Sequence, residues 1–166
     1  MRLWRHSARR GIWPVMFVGL VMMLLGAAAG RPAEGTRFVA TDVWVETSGT
    51  PLGAYQVELT APGAMVVGIE GGADAAFSAA PYYDPAALQG SHKVIIAAFS
   101  TRDVRELPAG RVRVARVHWA LAGGGPGVGR DAKSEIAAKL VVATDAQGRT
   151  IDRARLDVRP FEGAQP

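Results

Sequence analysis

In AYQVELTA the side chains alternate one by one, placing Tyr55, Val57 and Leu59 on one side of an extended chain and Gln56, Glu58 and Thr60 on the other. The same period of two runs through RFVATDVWVET, with Val39, Thr41, Val43 and Val45 on one face and Phe38 and Trp44 on the opposite one. SGTPLG and APGA interrupt the alternation with turn-forming residues, and MVVGIEGG resumes it. HKVIIAAFST is apolar on both faces from Val94 to Phe99, a pattern that predicts a central strand of a packed sheet. IAAKLVVAT reads as a further strand on its β-branched ending, and the DAQG turn followed by RTIDRARLDVRP predicts a closing hairpin. Between these runs, ADAAFSAAPYYDPAALQG is irregular. One helical turn is expected at Pro85–Leu88, since Asp84 followed by Pro85 is a good pair for an N-cap and a first helical position.

GRVRVARVHWAL is the exception to simple alternation. Val112 and Val114 share one parity, and Val117, Trp119 and Leu121 share the other. A β-bulge near Ala115–Arg116 reconciles the two, because one extra residue returns the later apolar side chains to the same face. Arg111, Arg113, Arg116 and His118 then form a basic row on the solvated face. The chain from residue 37 to 160 therefore predicts an all-β domain of about seven to nine short strands, a single β-sandwich, with residues 161–166 as a disordered tail.

The net charge of +4 suggests a polyanion partner until the charges are located. Four of the nineteen basic residues, Arg2, Arg5, Arg9 and Arg10, lie in the first 29 positions, which contain no acid. The remainder holds fifteen basic against fifteen acidic residues, so no net field is left to draw in a nucleic acid. MRLWRHSARR followed by the apolar run Ile12–Ala29 has the parts of a secretory signal, with Ala27 and Ala29 at the small-residue positions before GRPAEG. Eighteen residues span about 27 Å as a helix, so the same run also suffices as a membrane anchor. Either way residues 30–36 form a linker, and the rest is expected outside the cytoplasm: periplasmic, extracellular or held at the cytoplasmic membrane through residues 12–29 alone. The pair Arg9-Arg10 is a weak twin-arginine match. The chain has no cysteine, which excludes disulfides, thiolate metal sites, cysteine nucleophiles and a lipidated cysteine.

Candidate chemistry is sparse. Ser91 or Ser100, His92 and Asp103 supply the residue types of a hydrolytic triad without a GxSxG elbow. Asp42, Glu46, Glu70, Asp74 and Asp84 are oxygen donors scattered along the chain, with no DxDxDG loop. GGGPGVGR lacks the Lys-Ser/Thr ending of a phosphate loop and reads as a connecting loop. No enzyme activity, cofactor or metal is expected. In PYYDPAAL, Tyr82, Tyr83 and Asp84 offer a stacking and hydrogen-bonding surface for a sugar or peptide, and Trp44 is a further aromatic candidate.

Two stretches carry a family resemblance. AYQVELTAPGAMVVGIEGG, followed by Phe77, resembles a strand pair of cohesin-like domains, and HKVIIAAFST with ELPAGRVRVARVHWAL resembles a later pair in which a turn leads into a strand with a period slip. The resemblance covers roughly residues 38–158. It departs from the family pattern where TAPGA replaces a Tyr-Asp-Pro turn, the triplet occurring later at Tyr83-Asp84-Pro85, and in the short region before Leu52. It implies a cohesin-like, jelly-roll-type sandwich that binds a protein partner through a sheet face or edge. Arg111, Arg113, Arg116 and His118 are one candidate surface. The alternative is a carbohydrate-binding module in which Tyr82, Tyr83 and Trp44 stack on a polysaccharide of the cell envelope.

Overall fold

The computed structural model describes residues 36–121 and 136–161. The signal or anchor run, nearly all of the linker, the loop GGGPGVGR and residues 162–166 lie outside the described residues. Among the described residues there are seven strands and no α-helix: β1 (Arg37–Glu46), β2 (Ala54–Thr60), β3 (Ala64–Gly71), β4 (Lys93–Phe99), β5 (Arg111–Leu121), β6 (Ala137–Thr144) and β7 (Arg155–Pro160). They form two antiparallel sheets, one ordered β3-β5-β1-β7 and the other β4-β2-β6. Buried side chains of both sheets join in one apolar cluster, in which Trp119, Tyr55, Leu52, Leu59 and Ile96 are the largest fully enclosed members.

The predicted parities in β1 and β2 are observed: Thr41, Val43 and Val45 are buried, as are Tyr55, Val57 and Leu59. Burying each such valine, leucine or isoleucine contributes about 1.5–3 kcal/mol, so strict alternation fixes which way each strand faces. The expected turn at Pro85–Leu88 is a 3-10 turn, and the Asp84 carboxylate accepts from the Ala86 N–H at 2.9 Å. A second 3-10 turn, Val104–Glu106, is capped in the same way by Asp103.

The period slip of β5 is a bulge. Val43 pairs with Ala115 and Trp44 with Arg113, so Val114 is the extra residue, and Val114 and Ala115 are both fully buried. The bulge falls one residue earlier than the apolar pattern places it. Its unpaired carbonyls find partners outside the β1–β5 ladder, as buried backbone oxygens must. The Tyr55 hydroxyl, from the other sheet, donates to the Val114 carbonyl at 2.9 Å, and the Ala73 N–H donates to the Arg113 carbonyl at 3.0 Å. The second contact requires Gly72, since any Cβ there would strike the Arg113 carbonyl.

Three expectations are corrected. β4 is an edge strand, not a central one: only β2 pairs along its length, and its other side carries a single antiparallel bridge from Tyr82 to Ala97. Its outward residues Ile95 and Phe99 are exposed rather than sandwiched. β6 and β7 do not form a hairpin. They belong to different sheets, and beyond a bridge between Thr144 and Thr150 the chain buries Ile151 and crosses over. At the C-terminus, Phe161 is not yet tail, because its N–H donates to the Ala40 carbonyl at 2.9 Å.

Tyr55 makes the bulge testable. Tyr55→Phe keeps the packing and leaves the Val114 carbonyl without its donor, at an expected cost of about 1–2 kcal/mol in urea denaturation. Burial raises the Tyr55 phenol above its ordinary value, so the folded state holds its proton where the unfolded chain releases it. This contribution is complete below about pH 10 and is lost as pH rises beyond it. Tyr55→Phe is therefore expected to flatten the alkaline fall in stability.

Candidate functional site

The two outer faces differ in kind. On the β3-β5-β1-β7 sheet the bulge decides the arrangement. Residues three apart on a regular strand face opposite ways, but with Val114 inserted both Arg113 and Arg116 emerge on the outer face. Both converge on Asp42 of β1. Arg116 donates from Nε to Asp42 Oδ1 at 2.7 Å and from Nη2 to Oδ2 at 3.3 Å, while Arg113 Nη1 stands 3.7 Å from Oδ1 as an ion pair without a hydrogen bond. Asp42's hydrogen bond, and the charges of Asp42 and Glu70, raise the Arg116 pKa against the opposing effect of burial.

The pairing continues outward. Glu70 of β3 lies 2.7 Å from His118 Nε2 and 3.9 Å from Arg116, and Arg111 reaches Asp157 of β7 at 2.9 Å. Arg111 also stacks its guanidinium 4.7 Å above the Trp44 ring, and Arg116 sits 3.5 Å above the ring of Phe161. Thus the row Arg111, Arg113, Arg116 and His118 does face outward, as expected, but it is not a free basic row. Carboxylates from three neighbouring strands interleave with it, and Trp44 is covered by one of its members.

The outer face of the β4-β2-β6 sheet is apolar by comparison. Tyr82 is 70% exposed and Phe99 59%, and their rings lie parallel within 8° at a centroid distance of 6.1 Å. The backbone explains the pairing: Tyr82 and Ala97 exchange two hydrogen bonds, of 2.7 and 2.9 Å, which sets the Tyr82 side chain beside that of Phe99, two residues along β4. Between the segment from Tyr82 to Ala87 and the outer side of β4 runs an open cleft of about 620 Å³, lined also by Gln56, Lys93 and Ile95. Lys93 is paired with Glu58 at 2.9 Å.

No known protein family, curated protein or solved structure matches the chain. The site therefore rests on its own geometry.

That geometry divides the aromatic candidates. Tyr82 is open to solvent, Tyr83 packs against the core, Asp84 is committed to capping its turn, and Trp44 belongs to the other sheet. Phe99, Ile95 and Gln56 join Tyr82 instead. Phe99 was hidden in the sequence because an apolar run open on both faces reads as core. The other candidates have structural employment: Glu46 accepts from the Ser48 N–H, Asp74 from the Ala76 N–H and Asp103 from the Arg105 N–H. His92 and Asp103 lie beyond opposite ends of β4, which separates the members of the serine-histidine-acid set.

Asp42→Asn is expected to remove the carboxylate that Arg113 and Arg116 share, leaving Arg116 with Glu70 alone at 3.9 Å and lowering stability by about 1–3 kcal/mol in chemical denaturation. The same variant should be retained more strongly than the parent on immobilised heparin. A parent already held at physiological salt would instead mark the arginine row as a polyanion grip.

Proposed function

We propose that the chain is an exported, non-enzymatic binding module, a cohesin-like β-sandwich whose β4-β2-β6 face recognises a protein partner in the cell envelope. The observation that carries this reading is the exposed Tyr82–Phe99 pair beside the cleft lined by Ile95 and Gln56. Large aromatic and aliphatic side chains gathered on one face, with an amide and a salt bridge among them, have the make-up of a recognition surface. The arginine face supports the assignment by contrast, since its charges are already paired with one another's neighbours. Residues 1–29, with a basic start and an apolar run, support export.

The parallel setting of Tyr82 and Phe99 favours a second reading, in which the rings stack on a polysaccharide. The two are separated by capture from the native envelope with the full chain, run beside Tyr82→Ala, Phe99→Ala and, as a control on the other sheet, Trp44→Ala. Specific retention of a protein that falls about tenfold or more for Tyr82→Ala and Phe99→Ala, and not for Trp44→Ala, is the expected result. Retention of polysaccharide alone would replace the first reading with the second. Equal retention by all variants would remove this face from consideration.

A further inference from the structure

The edge of a sheet presents backbone donors and acceptors that another chain can use, and natural sheets blunt their edges against this. Among the described residues, β3 bulges at Val67 and gives the Val66 N–H to the Ser91 carbonyl at 2.9 Å. β6 bulges at Val141, and its Ala143 carbonyl is taken by the Ile151 N–H. β7 is lined with Arg155, Asp157 and Arg159 and ends at Pro160. The edge of β4 is different.

Tyr82 and Ala97 exchange two backbone hydrogen bonds, so Ala97 turns its N–H and carbonyl away from β2. In an antiparallel ladder such groups recur at every second residue, and those of Ile95 therefore point to the same side as those of Ala97. A continued ladder would set Asp84 opposite Ile95. Instead the Asp84 carbonyl accepts from the Ala87 N–H at 2.9 Å, its carboxylate accepts from the Ala86 N–H, and Pro85, which has no N–H, follows. The chain thus leaves β4 at this point, and the N–H and carbonyl of Ile95 open onto the cleft of about 620 Å³. The next position in line is closed again, because the Ser91 hydroxyl donates to the Lys93 carbonyl at 2.7 Å and accepts from the Lys93 N–H at 3.0 Å.

One donor and one acceptor, offered by a single strand residue, match the main chain of one extended residue of another chain. We propose that the partner enters this cleft as an extended peptide segment, one residue of which takes the place that Asp84 leaves and exchanges two backbone hydrogen bonds with Ile95. The side chain of that residue lies on the outer face beside Ile95, which is 42% exposed, and two positions along from Tyr82. An apolar side chain fits there. The charged groups of the cleft are already engaged, Lys93 with Glu58 and Asp84 with its own turn, which leaves main-chain and apolar contacts to carry recognition. The proposal rests on the reading of this face as a partner-binding surface.

Random-sequence peptides displayed on phage are selected on the immobilised full chain, and the selected peptides are measured against variants. Tyr82→Ala and Ile95→Pro are expected to weaken binding about tenfold or more, and Trp44→Ala to leave it unchanged. Ile95→Pro removes an N–H that no strand uses, at an edge position where proline is tolerated. Two further readouts stand even if that variant does not fold. N-methylation along a selected peptide should abolish binding at a single residue, and saturating peptide should slow hydrogen exchange of the Ile95 amide at least about tenfold. Selection of no peptide, peptides indifferent to Tyr82→Ala, or binding that leaves the Ile95 amide unprotected overturns the proposal. So does an oligosaccharide held by Tyr82 and Phe99 in place of any peptide. Capture of an envelope protein that depends on Tyr82 and Phe99 while the Ile95 amide stays unprotected would keep the face and remove the extended segment.

Discussion

The hydrogen bond from the Tyr55 hydroxyl to the Val114 carbonyl links the core of one sheet to the β5 bulge of the other, which turns Arg113 and Arg116 to the same face. A bulge leaves backbone oxygens off the ladder, and a buried oxygen without a donor is costly. Here the donors come from two separate elements, Tyr55 on β2 and Ala73 just beyond β3. Each donor also constrains its surroundings. Tyr55 must remain buried and protonated, packed edge-on against Phe77 at 5.5 Å, and position 72 must remain glycine. Satisfying the bulge thus orders the segment after β3 as well as the contact between sheets.

The same extra residue sets the electrostatics. Because Val114 shifts the parity of β5, the core receives Val112, Val114, Val117 and Trp119 while Arg113 and Arg116 share one face and one carboxylate. Partly buried guanidiniums in such a setting need counter-charges close by, and Asp42, Glu70 and Asp157 come from the three strands neighbouring β5 or β1. A face built in this way is largely saturated by its own groups. The opposite outer face carries few charges and leaves its aromatic rings to solvent, which is why recognition is assigned there.

Much of the fold was legible in the sequence, because the decisive signals were local. Alternation in RFVATDVWVET and AYQVELTA gives facing directly, Asp84-Pro85 starts its turn through a hydrogen bond two residues long, and the slip in GRVRVARVHWAL reveals a bulge to within one residue. What stayed hidden depends on which strands meet. Val94–Phe99 is apolar on both sides whether it lies between two strands or at an edge facing a cleft, and only the Tyr82 bridge decides. The DAQG turn forms as its residues imply, with Asp145 accepting from the N–H groups of Gln147 and Arg149, yet a correct turn does not reveal that the next strand joins the other sheet. The arginines were correctly turned outward, but their partners lie 46 to 74 residues away in the chain, beyond any local pattern.

An amphipathic sheet usually separates apolar from polar across its thickness, core side against solvent side. In the β3-β5-β1-β7 sheet a second separation runs along the strands. Successive rows of the outer face pass from Phe38, Ala120 and Met65, through Ala40, His118 and Gly68, to Asp42, Arg116 and Glu70. Nothing in core packing requires that gradient, because none of these side chains enters the core cluster. Solubility alone would favour charges spread evenly over both ends. Among the described residues of this face the charges begin with His118, whose Nε2 lies 2.7 Å from Glu70, and continue to Arg116 on Asp42, so the gradient follows the cross-strand ion pairs of β1, β3 and β5.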